Sequence, residues 1–215
     1  MAKSLFIVLD GMDGSGKSEM VKLLHNYIFS KSKSYKILTT REPTSGRYGR
    51  EIREILASDK DPKENAEKLL ELFIKDRREH VNNSIEPFLK KNNGGVNIAI
   101  CDRYYYSTIA FQALQGLDMK MLIEKNKKFL KPDVAFIMDI NPEIALERIK
   151  HREKEKFEQL DFMRKLRERF LQLPKILKDN IKVIDASREA NEVFEDIKKE
   201  ADKLLQEKPD TPHHR

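Results

Sequence analysis

The 215-residue chain carries 42 Lys and Arg against 36 Asp and Glu, a formal charge of +6, with 39% apolar and 36% charged residues. That balance supports one buried core beneath a densely charged surface; the single cysteine, Cys101, excludes an internal disulfide framework and any Cys/His zinc spacing. The first apolar run, Leu5 to Leu9, is too short to cross a bilayer and lacks a cleavable signal pattern, so no membrane partner and a cytoplasmic location are expected.

In chain order, short β-rich runs at 4–10, 35–40, 96–101, 134–139 and 181–185 alternate with segments of helical period at 17–30, 48–57, 63–91, 106–115, 120–129, 142–151, 159–178 and 188–205. The runs at 98–101 and 134–138 are continuously apolar, as strands covered on both faces of a parallel sheet are. The expectation is an α/β fold, a three-layer αβα sandwich on a five-stranded parallel sheet. Asn141 before Pro142, and Ser187 before the last helix, read as helix caps. Cys101 reads as a small buried strand residue.

Between the first strand and the first helix, residues 11–18 read G-M-D-G-S-G-K-S, which fits the phosphate-binding loop pattern G-x-x-x-x-G-K-[ST] in its proper strand-to-helix context. Gly11, Gly14 and Gly16 let the main chain curl so that N–H groups of Met12, Asp13 and Ser15 and the helix dipole converge on a phosphate. Lys17 neutralises the β and γ oxygens of a nucleotide, and Ser18 offers a hydroxyl to Mg²⁺. Such a loop names a nucleotide and leaves the reaction open. The GTPase signal N-K-x-D is absent, and the third strand ends in Cys101-Asp102-Arg103 where a motor ATPase carries paired acids, which favours a kinase.

Four further segments follow in order. Thr40-Arg41-Glu42-Pro43 resembles T-R-E-P; Leu72 to His80 resembles L-F-x-x-D-R-x-x-H; Asp102 to Gln112 resembles D-R-Y-x-x-S-x-x-A-Y-Q. Pro132-Asp133, Asn141-Pro142-Glu143 and Leu146-Glu147-Arg148-Ile149 match a strand-to-helix passage before a lid. With the phosphate loop, these make the chain similar to the thymidylate kinase family from Leu5 to about Leu205. The resemblance implies one nucleoside monophosphate kinase domain of P-loop type over 1–206 with a lid at 148–158, a polar tail at 207–215, ATP and Mg²⁺ as cofactors, dTMP as substrate, and a homodimer without nucleic acid.

The same resemblance implies roles. Phe73 stacks on thymine and Arg77, one turn away, donates to its O4; Arg41 and Arg103 hold the acceptor phosphate at the sheet edge. Ser107 and Phe111 line the sugar side, and Asp13 holds the 3′-hydroxyl or its waters. Asp102 joins Ser18 as a magnesium ligand through water, and Arg148 lies with the nucleotide. Because the phosphate loop has no arginine at Gly14-Ser15, Arg152 and Lys156 of the lid are the expected transition-state cations. The chain departs from the family at Asp10, commonly Glu, at Lys156, commonly Arg, and at Phe111, usually Tyr. Because small changes at Phe73, Arg77 and Phe111 redirect such a pocket, a uridylate or nucleoside kinase stays open as an alternative, and the basic charge keeps an ATP-dependent nucleic-acid binder open.

Overall fold

In the computed structural model the described residues are 4–58, 65–91, 94–149 and 156–206, the side chains of 156–159 excepted. Strands β1 (Ser4–Gly11), β2 (Tyr35–Arg41), β3 (Val96–Asp102), β4 (Val134–Asp139) and β5 (Ile181–Asp185) form one sheet in the order β2-β3-β1-β4-β5. Every pairing is parallel, so each crossover must climb back over a face of the sheet. All seven residues of β3 are buried, as are the last seven of β1. Successive side chains point to opposite faces, so both faces of the sheet centre are covered. That is the three-layer arrangement expected from the apolar runs, and Cys101 sits inside it, fully buried.

Helices α1 (Lys17–Lys31), α2 (Arg47–Ser58), α3 (Ala66–His80), α4 (Glu86–Lys90), α5 (Tyr105–Leu114), α6 (Met119–Asn126), α7 (Pro142–Arg148), α8 (Lys156–Ile176) and α9 (Ala190–Gln206) complete the described elements. On one side α1 packs against α9, tied by Tyr27 and Lys31 to Asp202. Elsewhere α5 packs against α8.

Two expectations are corrected. The helix read as continuous over 63–91 passes through a π-helical turn, Val81–Ile85, before α4. Pro87 explains it, because proline has no N–H for the carbonyl four residues back and its ring clashes there, so the turn widens. Ser187 does not cap the last helix, which begins at Ala190; its N–H and hydroxyl both donate to Asp185. Asn141 does cap α7, accepting from the Glu143 N–H at 2.8 Å. The tail at 207–215 lies outside the described residues.

The C-terminal ends of the strands carry Gly11 on β1, Arg41 on β2 and Asp102 on β3 along one edge. In an open parallel sheet this edge is where ligands bind.

Candidate active site

The loop after β1 is shaped by glycine where no other residue fits. Gly14 has φ +81, and a Cβ there would stand 2.5 Å from the Ala145 carbonyl oxygen, so α7 lies directly against the loop. Gly16, also at φ +81, is the N-cap of α1 and supplies no side-chain cap, so the helix presents its first turn of N–H groups at the loop mouth. Lys17 is 6% exposed and its Nζ donates to Met12 O at 2.6 Å, with Ser15 Oγ at 3.3 Å. Burial, with Arg103 adding to it, pulls the Lys17 ammonium down to about 8, while Asp13, Asp102 and Asp10 act in the opposite direction.

Ser18 Oγ donates to Asp102 Oδ2 at 2.8 Å. A hydroxyl and a carboxylate thus meet at the end of the phosphate loop, the donor set that suits Mg²⁺ held partly by protein and partly by phosphate oxygens.

Beside this loop lies a cavity of about 1110 Å³. Asp13, Arg41, Phe73, Arg77, Arg103, Ser107 and Phe111, every residue expected to touch the acceptor, line it. Asp102 is not among the lining residues; it ends β3, directly before Arg103, and meets Ser18 at the loop. Arg148 sits on α7, one turn beyond Ala145, with Nη1 donating to Ala186 O at 3.0 Å, so it belongs to the loop side and not to the cavity. Arg152 lies outside the described residues; Lys156 opens α8, and its side chain is likewise outside them.

Arg103 joins the two regions. It is the one described non-glycine residue with positive φ, at +70, a conformation that disfavours L residues. Four hydrogen bonds hold it: the N–H donates to Leu9 O at 2.8 Å, Nη1 to Gly11 O at 2.8 Å and Ser107 Oγ at 2.9 Å, and Nη2 to Asp13 Oδ1 at 2.5 Å. Behind it Asp10, fully buried, accepts from the N–H groups of Gly11, Tyr104 and Ser107 and from the Ser107 hydroxyl. Burial pushes the Asp10 carboxyl up; the Arg103 guanidinium at 3.8 Å, the Ser107 hydroxyl and the Tyr104 and Gly11 N–H groups pull it back. Here the shorter carboxylate serves as a hub that fixes both Arg103 and the start of α5.

The far end of the cavity is less like the expectation of a helix presenting one ring and one open fork. Phe73 is half-buried, but Arg77 is 1% exposed. Its Nε and Nη2 reach Glu42 Oε2 at 2.9 and 2.8 Å, Nη2 reaches Thr108 Oγ1 at 3.0 Å, and Nη1 reaches Asn126 Oδ1 at 2.7 Å. A guanidinium has five N–H groups, and hydrogen bonds to Glu42, Asn126 and Thr108 engage three of them. Tyr104 and Phe129 flank it, with ring centroids 5.1 and 5.6 Å from Cζ. Glu42 also meets His80 Nδ1 at 3.0 Å, and Thr40 Oγ1 lies 2.6 Å from His80 Nε2. Asp76 accepts from Thr44 N–H and hydroxyl at 2.8 and 2.6 Å. The T-R-E-P and L-F-x-x-D-R-x-x-H segments are therefore interlocked, and Glu42, Asp76 and His80 are the parts of them that hold the cavity's shape.

The motif comparison named Gln112 only as a letter, yet the residue borders the cavity at 1% exposure, and its buried Oε1 has no hydrogen-bond partner. An orphaned buried carbonyl costs about 1–3 kcal/mol, which suits a position that a ligand donor completes. Thr108 is one turn before it on α5 and touches Arg77, so an acceptor and a donor stand side by side. The signal that finds Gln112 is its spacing, four beyond Thr108, once Arg77 is known to reach α5. Asn83 and Ser84 of the π turn and Arg53 of α2 also line the cavity; Arg53 is tied to the carbonyls of Pro43 and Thr44.

Residues 9–197 match the family model described as thymidylate kinase. A probable thymidylate kinase of Archaeoglobus fulgidus is 34% identical over 203 residues, covering 94% of this chain and 96% of the relative. A thymidylate kinase of Caldicellulosiruptor saccharolyticus is 36% identical over 215 residues, covering 96% and 100%. A probable thymidylate kinase of Pyrobaculum aerophilum is 37% identical over 195 residues, covering 89% and 93%. No helix among the described residues is long and apolar enough to cross a membrane.

Proposed function

The chain belongs to the thymidylate kinase family, and from that premise we propose that it transfers the γ-phosphoryl group of ATP to the phosphate of dTMP, giving dTDP and ADP. The observation that carries this reading is the convergence of Phe73, Arg77, Arg41, Arg103 and Asp13 on one cavity beside the phosphate loop.

The acceptor is a phosphate already ionised at neutral pH, so its oxygen needs no general base to become a nucleophile. Charge is the obstacle, because two polyanions must approach within bonding distance. Main-chain N–H groups of 11–18 grip the nucleotide phosphates, and Lys17 moves from Met12 O onto them. Ser18 directly and Asp102 through water would hold Mg²⁺, which would supply neutralisation of the nucleotide's phosphate charge. Arg103, fixed against Gly11 and Ser107, and Arg41, exposed at the end of β2, hold the acceptor phosphate in line. Arg152 and Lys156 remain the proposed lid cations, and Arg148 the proposed contact to the nucleotide on the α7 side.

At the base, Phe73 supplies the stacking face. An Arg77 N–H outside those hydrogen bonds meets O4, a contact that matches thymine and uracil and mismatches the N4 amino group of cytosine. Phe111, half-buried and packed 6.0 Å from the Phe162 ring, keeps an apolar wall on the sugar side. A cytoplasmic homodimer completes the proposal, and sedimentation velocity would report it as a species of twice the chain mass.

The test is an acceptor profile with MgATP: dTMP should be turned over, dUMP more weakly, and dCMP scarcely at all. ATP consumption that no nucleoside monophosphate stimulates would contradict the proposal.

A further inference from the structure

Helix α5 also borders a second, smaller cavity of about 250 Å³, which shares no lining residue with the first. Ile109 of α5, Ile123 of α6, and Ile176 and Leu177 at the end of α8 give it apolar walls. Ile176 is 42% exposed, so the fold leaves apolar surface open to solvent here. The polar side chains of the wall are mostly engaged already. Asp179, whose side chain is 4% exposed, accepts from the Tyr105 and Tyr106 hydroxyls at 2.5 and 3.0 Å, and Lys131 Nζ stands 3.2 Å from its other oxygen. Asn126 accepts from Arg77 Nη1 at 2.7 Å and donates to Leu122 O at 2.8 Å, so both ends of its amide are held from outside the cavity. What the wall has to spare is ammonium. Each lysine carries three N–H groups, of which Lys131 turns one to Asp179 and Lys127 one to Glu124, and exposed Lys178 stands at the same rim.

We propose that this cavity is a second ligand site, one that takes a small carboxylate with an apolar body. The body lies among Ile109, Ile123, Ile176 and Leu177, and the carboxylate meets Lys131, which Asp179 holds in place, with Lys127 and Lys178 beside it. Three lysines face one carboxylate along this wall, so a cation meets like charge. A ligand with only N–H groups to offer finds the Asp179 and Asn126 oxygens already supplied with donors. At about 250 Å³ the space falls below the roughly 300–1,000 Å³ of drug-sized sites, which suits one ring on a short chain. The site is independent of the proposed phosphoryl transfer and stands whichever nucleotide is the acceptor.

The probe is 3-phenylpropanoate, with 3-phenylpropanamide as its uncharged counterpart, titrated at constant ionic strength into the full chain with Ile and Leu methyl groups labelled for NMR. Methyl signals of Ile109, Ile123, Ile176 and Leu177 should move along one saturating curve with a Kd of about 1 mM or below, while Leu56, which lines the acceptor cavity, stays in place. The amide should bind about fivefold more weakly, the effect of losing one partly exposed charge contact. Lys131→Gln should weaken the acid by about the same factor and the amide by less than about twofold. Ile176→Glu changes an exposed side chain, so the fold survives; it should weaken the acid by about tenfold or more and leave kinetics with ATP and dTMP within about twofold. Shifts that stay linear to about 20 mM, or that reach Leu56 and vanish when dTMP is added, put the probe elsewhere and overturn the inference. An amide that binds as tightly as the acid, or an Ile176→Glu variant that binds like the parent, overturns it too.

Discussion

Residues 11–18 build the phosphate cradle from one contiguous loop, with Gly14 and Gly16 at φ +81 and α1 opening directly behind them. The acceptor cavity gathers its floor from distant places: Glu42 beyond β2, Arg77 and His80 on α3, Thr108 on α5 and Asn126 on α6. In the cradle the functional groups are main-chain N–H groups, set by local conformation. In the cavity they are side chains whose placement depends on a buried ion pair, with Glu42 3% and Arg77 1% exposed. A buried pair adds little net stability, but removing one partner leaves an uncompensated charge. Substitutions around the cradle should therefore alter chemistry with little effect on folding, whereas those under the cavity should alter folding and substrate affinity together.

The sharpest way to break this contrast is Arg103→Ala, because Arg103 touches both regions. Turnover should fall about 10³-fold, as for loss of a preorganised cation facing transferred phosphoryl charge. Melting should drop by only a few degrees, because Asp10 keeps its bonds from Gly11, Tyr104 and Ser107. Steady-state kinetics with a thermal melt decide it, and an unchanged rate removes Arg103 from the mechanism.

Phe73→Ala belongs to the cavity alone. The KM for dTMP should rise about 30-fold through the lost stacking face, with the KM for ATP within about twofold. Equal weakening of both ligands would make Phe73 a purely structural residue.

Glu42→Gln tests the buried pair. A loss of about 3 kcal/mol, or roughly 6–12 °C in melting temperature, should accompany several-fold weaker dTMP binding. A variant that melts like the parent would show that Arg77 is held by Thr108 and Asn126 without its counter-charge.

The smallest effect is a pH limb from the cradle. Protonated Lys17 is the form that meets phosphate, and burial pulls its ammonium down to about 8, so kcat/KM for ATP should be full below that pH and fall with a one-proton slope above it. At saturating ATP the bound phosphates raise that value, and the limb in kcat should move to higher pH. A flat kcat/KM profile from pH 7 to 10 would contradict the buried, depressed state of Lys17.

How far each region could be read from residues alone follows from the same contrast. The cradle is local: glycine spacing, Lys17 and Ser18 specify it, and the apolar runs at 98–101 and 134–138 specify the sheet that positions it. The lining residues Phe73, Arg77, Ser107 and Phe111 were legible through family resemblance. Their support was not, because nothing in the spacing of Glu42, His80 and Asn126 says that they meet across 35 to 49 residues. The π turn at Val81–Ile85 was signalled by Pro87 but overridden by the strong helical period on both sides.

The central claim is that one bound anion passes its terminal phosphoryl group to another in the adjoining cavity. Following a mixture of MgATP and dTMP by ³¹P NMR tests it most directly. The β-phosphorus signal of dTDP should grow in step with that of ADP, one for one. Growth of ADP with inorganic phosphate, and no dTDP, would contradict it.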